Sequence, residues 1–245
     1  MTNPLQTGAT IGILGGGQLG RMLSVAASRL GFKSHIFEPG ANPPAGQVAD
    51  CVTTAPYEDA EALRSFAQSV DVITYEFENI PAEALGLKCA PYANVETADD
   101  LKAAVDQIGV PSILKTRRFG YDGKGQVRLK DSINPTSAWQ ELGETPCVLE
   151  GFVDFSHEVS VIGARAQGGA VTCFDPGENV HRDGILHTTT LPAKLNRSQH
   201  TDAIILTGQI LNALDYVGVM GVELFVTPAG LIVNEIAPRV HNSGH

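Results

Sequence analysis

The sequence predicts a doubly wound α/β unit at the N-terminus, followed by an α+β region built largely of antiparallel strands. Three observations carry this. Residues 10–75 alternate strand, helix and strand; beyond residue 88 short strands separated by turns take over; and two strands joined by a tight turn lie near the end.

Thr10–Leu14 reads as a buried strand running into Gly15-Gly16-Gly17. Leu19, Met22, Leu23, Ala26, Ala27 and Leu30 then recur at helical spacing, with Gly31 as the stop. Ser34–Phe37 is a second strand, Asp59–Val70 a second helix and Asp71–Tyr75 a third strand. That order implies parallel pairing, because a crossover helix returns the chain to the same edge of the sheet. Leu101, Ala104, Val105 and Ile108 mark a short helix closed by Gly109. Strands follow at Ser112–Thr116, Gln126–Leu129, Cys147–Leu149, Glu158–Ala166 and Ala170–Phe174, and the turns between the last four suggest antiparallel pairing. A helix spans Gln199–Tyr216 with Ser198 as its cap, and Val219–Val226 and Leu231–Ile236 form the closing pair.

With 17 Lys and Arg against 27 Asp and Glu, the net charge of −10 argues against nucleic acid or a membrane surface as partner. No apolar run approaches the roughly 20 residues of a membrane helix. Met1–Thr10 has no basic, apolar leader pattern, so the expected location is the cytoplasm. Cys51, Cys89, Cys147 and Cys173 lack the close spacing of a zinc or redox motif and read as free thiols.

Four clusters carry chemistry. Gly15-Gly16-Gly17-Gln18-Leu19-Gly20 fits G-x-G-x-x-G between a strand and a helix, and Glu38 follows at the end of the second strand, where a ribose-binding acid sits in dinucleotide folds. A nicotinamide or flavin site, another nucleotide and mere tight packing all remain open for this motif. Lys115 to Gln126 gathers four cations and three glycines between two strands, a composition suited to covering phosphates, though it is not a Walker A loop. Glu223 and Glu235 face each other if the turn is centred on Ala229, and the apolar neighbours Val222, Leu224, Ile232 and Ile236 then bury both carboxylates. Facing buried carboxylates repel unless a cation joins them, and Mg²⁺ shared with nucleotide phosphates is the natural solution. A turn with an even number of residues would send Glu235 to the other face. Arg239, His241 and Asn242 could hold a small oxyanion, although by themselves they read as a polar turn.

Together these blocks resemble the N5-carboxyaminoimidazole ribonucleotide synthase family of the ATP-grasp superfamily. The resemblance rests on Ile11 to Met22, Tyr75-Glu-Phe-Glu-Asn-Ile80, Lys115 to Gln126, Phe174 to Ile185 and Asn234-Glu-Ile-Ala-Pro-Arg239 with His241-Asn-Ser-Gly-His245. It implies a Rossmann-like, pre-ATP-grasp domain over residues 1–85 and an ATP-grasp domain over 86–245. It implies that the first glycine loop meets the ribonucleotide rather than NAD. Gln18, Leu19 and Glu76 would contact aminoimidazole ribonucleotide, joined by Tyr121 and Asp122 at the reacting centre. Lys115 with Gly120, Tyr121, Asp122, Gly123, Lys124, Gly125 and Gln126 would hold ATP. Glu150, Gly151, Phe152 and Val153 would form the adenine hinge, with Glu158 on the ribose and His181 at the nucleotide. Glu223 and Glu235 would bind Mg²⁺, for which Mn²⁺ could substitute, with Asn234 beside them. Arg239, His241 and Asn242 would hold bicarbonate.

The implied reaction is ATP- and bicarbonate-dependent carboxylation of aminoimidazole ribonucleotide through carboxyphosphate, in purine biosynthesis, by a homodimer. This chain departs from the family pattern in three places, the least of them Val240 where the family often has proline. Ala84-Leu85 runs almost directly into Gly86-Leu87, where the family has a strand and helix, and the family's small C-terminal domain has no counterpart up to His245. The competing readings are another ATP-grasp ligase with a different acceptor, an NAD(P)-dependent oxidoreductase built on the first glycine loop, and an inactive binding module.

Overall fold

The structure, a computed structural model, describes residues 4–75, 88–117, 125–130, 134–182 and 184–244. Two compact units emerge, Met1–Glu78 with Pro238–Asn242, and Asn79–Ala237 with Ser243–His245. The expected boundary between residues 85 and 86 lies outside the described residues.

The first unit is built on β1 (Thr10–Leu14), α1 (Gln18–Arg29), β2 (Lys33–Phe37), β3 (Cys51–Thr53), α2 (Ala60–Gln68) and β4 (Val72–Tyr75). Its sheet has the order β3-β2-β1-β4 and is parallel throughout, as the alternation of strand and helix requires. Ile13, Ile36 and Ala45 are fully buried within it. Asp59 caps α2 by accepting from the Glu61 and Ala62 amides, so the helix starts one residue later than the sequence suggests. The three-residue β3 carries too little periodicity to be seen in sequence.

The second unit contains β5 (Tyr92–Val95), α3 (Ala98–Ile108), β6 (Ser112–Thr116), β7 (Gln126–Leu129), α4 (Pro135–Glu141) and β8 (Cys147–Gly151). These make an antiparallel sheet of order β5-β8-β6-β7. Strand alternation sends Val95, Leu114, Leu129, Cys147 and Leu149 to one face, where Leu101, Ala104 and Ala138 from α3 and α4 cover them. The same alternation leaves Lys115, Arg128 and Glu150 on the opposite, uncovered face.

The chain continues through β9 (His157–Arg165), β10 (Val171–Cys173), β11 (Gly177–Arg182), β12 (Ile185–Thr190), α5 (Arg197–Ala213), β13 (Gly218–Thr227) and β14 (Gly230–Ala237). The second sheet runs β12-β11-β9-β13-β14, with β10 added on β9. Val159, Val161, Met220, Val222, Leu224, Val233 and Ile236 form a buried face with Ala203, Ile210 and Leu211 of α5. Each of the Val, Leu, Ile and Met side chains contributes about 1.5–3 kcal/mol by leaving water, so this face fixes the register of the strands.

Two expectations are corrected here. The cap of α5 is Asn196, not Ser198: Asn196 accepts from the Gln199 amide and the Gln199 side chain returns to the Asn196 amide. β11 and β12 were not expected as strands, because Gly177 to Thr190 mixes charge, imidazole and threonine without an apolar alternation. Among the described residues no helix is long and apolar enough to cross a membrane.

Candidate functional site

On the second sheet, the face opposite the α5 core is polar. In register, Glu223 of β13 lies beside Ser160 of β9, which lies beside Gly177 of β11; one step along, Phe225, Glu158 and Asn179 form the next row. His181 follows Asn179 on the same face by period-two alternation. Val159, Val161, Val222 and Leu224 point the other way. One strand period therefore sorts the apolar core from a strip carrying Glu158, Ser160, Asn179, His181 and Glu223.

Glu223 pairs directly with Glu235 across β13 and β14. The turn, however, is not centred on Ala229. Thr227 pairs with Gly230, leaving the even, two-residue turn Pro228-Ala229, which alone would have sent Glu235 to the apolar face. A β-bulge between Glu223 and Leu224 corrects the parity: Leu224 pairs with Val233, and Asn234 is the extra residue. The bulge also aims the Asn234 side chain, whose Nδ2 donates to Glu223 Oε2 at 3.4 Å. The expected burial of both carboxylates holds only for Glu223, which is buried, whereas Glu235 is exposed near the end of an edge strand. Val222, Leu224 and Ile236 do not surround the pair, since they lie on the other face.

Glu158, His181 and Glu223 bring ligand atoms within 4.8 Å of one another. His181 Nδ1 stands 3.2 Å from Glu158 Oε2, an ion contact without the alignment of a good hydrogen bond. The Glu158 carboxylate raises the imidazole pKa above its ordinary value; burial opposes this, and the charges of Glu158, Glu223 and Glu235 add to it. A hard divalent cation prefers oxygen, so the carboxylates rather than this imidazole suit Mg²⁺.

On the open face of the smaller sheet, Lys115 Nζ contacts Glu150 Oε2 at 2.6 Å. Gln126 is the cross-strand neighbour of Lys115. Gly151 closes β8, and after it Phe152 donates its amide to Pro111 O at 3.2 Å and carries Arg128 4.2 Å above its ring, ahead of the half-buried Val153. Gly125 adopts φ +75°, a conformation that favours glycine at the entry to β7. Gly120, Tyr121, Asp122, Gly123 and Lys124, like Glu76, lie outside the described residues.

In the first unit, Gly15 has φ +114° and its amide donates to Phe37 O. The helix N-terminus at Gly17 carries no side-chain cap and no acid in its first turn, with Gln18 exposed and Leu19 half-buried. Its amides are thus suited to an anion. Glu38 already holds the loop. Its Oε2 accepts from the Gly16 amide at 2.8 Å and from Tyr57 at 3.3 Å, while Oε1 accepts from the Gly40 amide. A Cβ on Gly16 would stand 2.6 Å from Pro43 Cβ and 2.9 Å from Glu38 Cγ, so this glycine serves close packing.

Arg239, His241 and Asn242 follow β14 in the segment that clusters with the first unit. Arg239 Nη1 donates to Val240 O at 2.7 Å, His241 is buried and Asn242 is exposed. The sequence reading passed over Ser160 and Asn179. Period-two spacing from Glu158 and His181 was the signal that could have found them.

Residues 81–245 match the ATP-grasp domain model, and residues 8–107 match the ribonucleotide synthetase preATP-grasp domain model. The chain is 46% identical to the N5-carboxyaminoimidazole ribonucleotide synthase of Brucella melitensis, covering 98% of this chain and 76% of that protein. It is 40% identical to the enzyme of that name from Bacillus subtilis, over 97% and 71% of the two chains. The Brucella alignment, at 276 residues, is longer than this 245-residue chain, so the relative carries residues that have no counterpart here. An ADP-bound crystal structure of an N5-carboxyaminoimidazole ribonucleotide synthetase superposes with a TM-score of 0.91 at 37% identity, over 100% of this chain and 74% of that one. The Aspergillus clavatus synthase, crystallised with ADP and 5-aminoimidazole ribonucleotide, gives a TM-score of 0.81 at 27% identity, over 98% and 72%.

Proposed function

The chain belongs to the N5-carboxyaminoimidazole ribonucleotide synthase family of ATP-grasp ligases, and from that premise we propose that it carboxylates 5-aminoimidazole ribonucleotide with ATP and bicarbonate. A bicarbonate oxygen attacks the γ-phosphorus, the bond to ADP breaks, and carboxyphosphate forms. Loss of phosphate yields carbon dioxide, which the exocyclic amine captures as it gives up a proton. No protein nucleophile is needed, so positioning and charge stabilisation supply the acceleration.

The observation that carries this reading is Glu223 facing Glu235, with the bulge residue Asn234 holding Glu223, on a polar sheet face that also presents Glu158 and His181. These oxygen donors fit Mg²⁺, and Glu223, Glu235 and the free oxygen of the Asn234 amide would hold it. Mg²⁺, when bound, offsets the charge of the transferred phosphoryl group. Lys115 and Gly120 to Gln126 would hold the phosphates, and Glu150 to Val153 the adenine. Arg239, His241 and Asn242 would orient bicarbonate; Gln18, Leu19, Glu76, Tyr121 and Asp122 would take the ribonucleotide. By the same family reading the enzyme is a cytoplasmic homodimer.

The test is phosphate release from ATP measured with and without aminoimidazole ribonucleotide and bicarbonate. Release that requires both is expected. Release indifferent to the ribonucleotide would reject the acceptor, and tight NAD binding would return the glycine loop to dinucleotide chemistry.

A further inference from the structure

Ser160 sits at the middle of the polar face, directly opposite Glu223 on one side and Gly177 on the other, and is 3% exposed. Its hydroxyl makes two contacts, with Ser243 Oγ at 2.8 Å and Asn179 Oδ1 at 3.2 Å. Thr189 Oγ1 donates to the same Asn179 oxygen at 3.0 Å. With Asn179 Oδ1 toward both hydroxyls, proton counting sets the direction of this chain. An amide oxygen only accepts, so Ser160 and Thr189 give their single protons to Asn179, and Ser243 donates to Ser160. With the Asn179 amide turned over, every direction reverses and the members stay the same.

A second observation places the same stretch on the sheet. A Cβ on Gly244 would run into Ile162 Cδ1, and Ile162 lies two residues from Ser160 on the same face of β9. Ser243 and Gly244 thus lie directly on β9. Residues 238–242 run from the last residue of β14, Ala237, to this dock, so both ends of a five-residue loop are fixed on one sheet. That loop carries Arg239, His241 and Asn242. Its short length leaves few conformations once both ends are held.

We propose that Ser160, through Ser243 and backed by Asn179, is a positioning residue for bicarbonate: it fixes on β9 the residue at which the Arg239–Asn242 loop ends. This rests on the reading of that loop as the bicarbonate site. Ser160 and Ser243 touch no reacting atom. Their effect is on where the guanidinium, imidazole and amide stand, and small displacements of orienting groups cost one to two orders of magnitude.

The experiment uses the full chain and the variants Ser160→Ala, Ser243→Ala and Ser243→Thr. Ser243→Ala and Ser160→Ala are expected to raise KM for bicarbonate about 10- to 100-fold while KM for ATP stays within about 2-fold. Amide hydrogen exchange is expected to quicken over residues 239–244 and nowhere else, and Ser243→Thr, which keeps the hydroxyl, restores both readouts. An unchanged bicarbonate KM overturns the proposal, as does a parallel rise in both KM values, which would mean a general loosening of the sheet. A parent enzyme whose phosphate release ignores bicarbonate would instead sink the functional reading. Hydrogen exchange then still decides on the anchor, and exchange unaltered by Ser243→Ala overturns it.

Discussion

Glu223 and Glu235 stand directly opposite each other on β13 and β14 although the turn between the strands has an even number of residues. The extra residue that restores their pairing, Asn234, is also the one whose amide holds Glu223. A single inserted residue thus sets the parity of the hairpin and supplies a hydrogen bond to the buried carboxylate. Bulges of this kind recur where a side chain must be re-aimed beside a site.

Replacing either glutamate by glutamine tests the proposed metal role. Turnover is expected to fall at least about 100-fold, the scale of one major electrostatic element. The two variants should differ in stability without nucleotide. Glu223→Gln removes a buried charge and should leave the melting temperature equal or higher; Glu235→Gln, at an exposed position, should leave it unchanged. A destabilised but active Glu223→Gln enzyme would mean that Glu223 serves as a structural ion-pair partner. Thermal melts and ATP hydrolysis rates on the two variants decide it.

Much of this site was legible because strand alternation is a strong signal where one face is buried. The apolar residues of β9 and β13 fix which face Glu158 and Glu223 occupy, and the antiparallel pairing follows from short turns. What stayed hidden depends on backbone detail that residue types do not encode. The hairpin bulge cannot be read from Val233-Asn234-Glu235, so the facing of the two glutamates was expected for the wrong reason, an odd-numbered turn. The burial of only one of them follows from the edge position of β14, a property of sheet order. Ser160 and Asn179 share the period-two spacing of Glu158 and His181, but their contact joins β9 and β11 and depends on strand order, which residue types do not encode.

The cap of α5 separates a local signal from its neighbour. Asn196→Ala removes the side-chain half of a reciprocal cap, while the residue-196 amide can still donate to the Gln199 side chain, and is expected to cost about 1 kcal/mol of stability. Ser198, already inside the helix, bonds only to Asp202 in an exposed position, and Ser198→Ala should cost less than about 0.5 kcal/mol. Chemical denaturation of the two variants measures this, and equal losses would return the cap to Ser198.

His35 offers a pH test within the first unit. It is buried, with Nδ1 at 3.0 Å from Ser69 Oγ and Nε2 at 2.8 Å from Thr53 Oγ1, and burial lowers its pKa below the ordinary 6.5. The folded state therefore binds the proton less readily than the unfolded chain. Its contribution is fully present above the unfolded pKa and is lost as pH falls through the depressed folded value. The melting temperature of the parent should drop more steeply below pH 6.5 than that of His35→Gln. Parallel pH profiles for the two proteins would mean that folding leaves the proton affinity of this imidazole unchanged.

The last prediction concerns Lys115 and Glu150, which lie on the open face of the smaller sheet and touch at 2.6 Å. Their side chains are 31% and 30% exposed, so the pair is partly solvated and its worth to folding is limited, at about 1 kcal/mol or less. Its placement matters more. β6 puts Lys115 beside Gln126, which ends the proposed phosphate loop, and β8 puts Glu150 at the start of the proposed adenine segment. A nucleotide lying along this face would part the two groups, drawing the ammonium to a phosphate and the carboxylate to the exocyclic amine. Lys115→Met keeps the apolar stem and removes the charge. ATP affinity should fall about 10- to 100-fold, the loss of one charge-assisted contact to phosphate, while the melting temperature barely moves. Glu150→Gln should weaken ATP less and narrow the preference for ATP over GTP, because the carboxylate repels a carbonyl where adenine carries an amine. Calorimetric titration with ATP and GTP reads both effects. Unchanged ATP affinity in Lys115→Met, or a large fall in stability, would make the pair a structural ion contact.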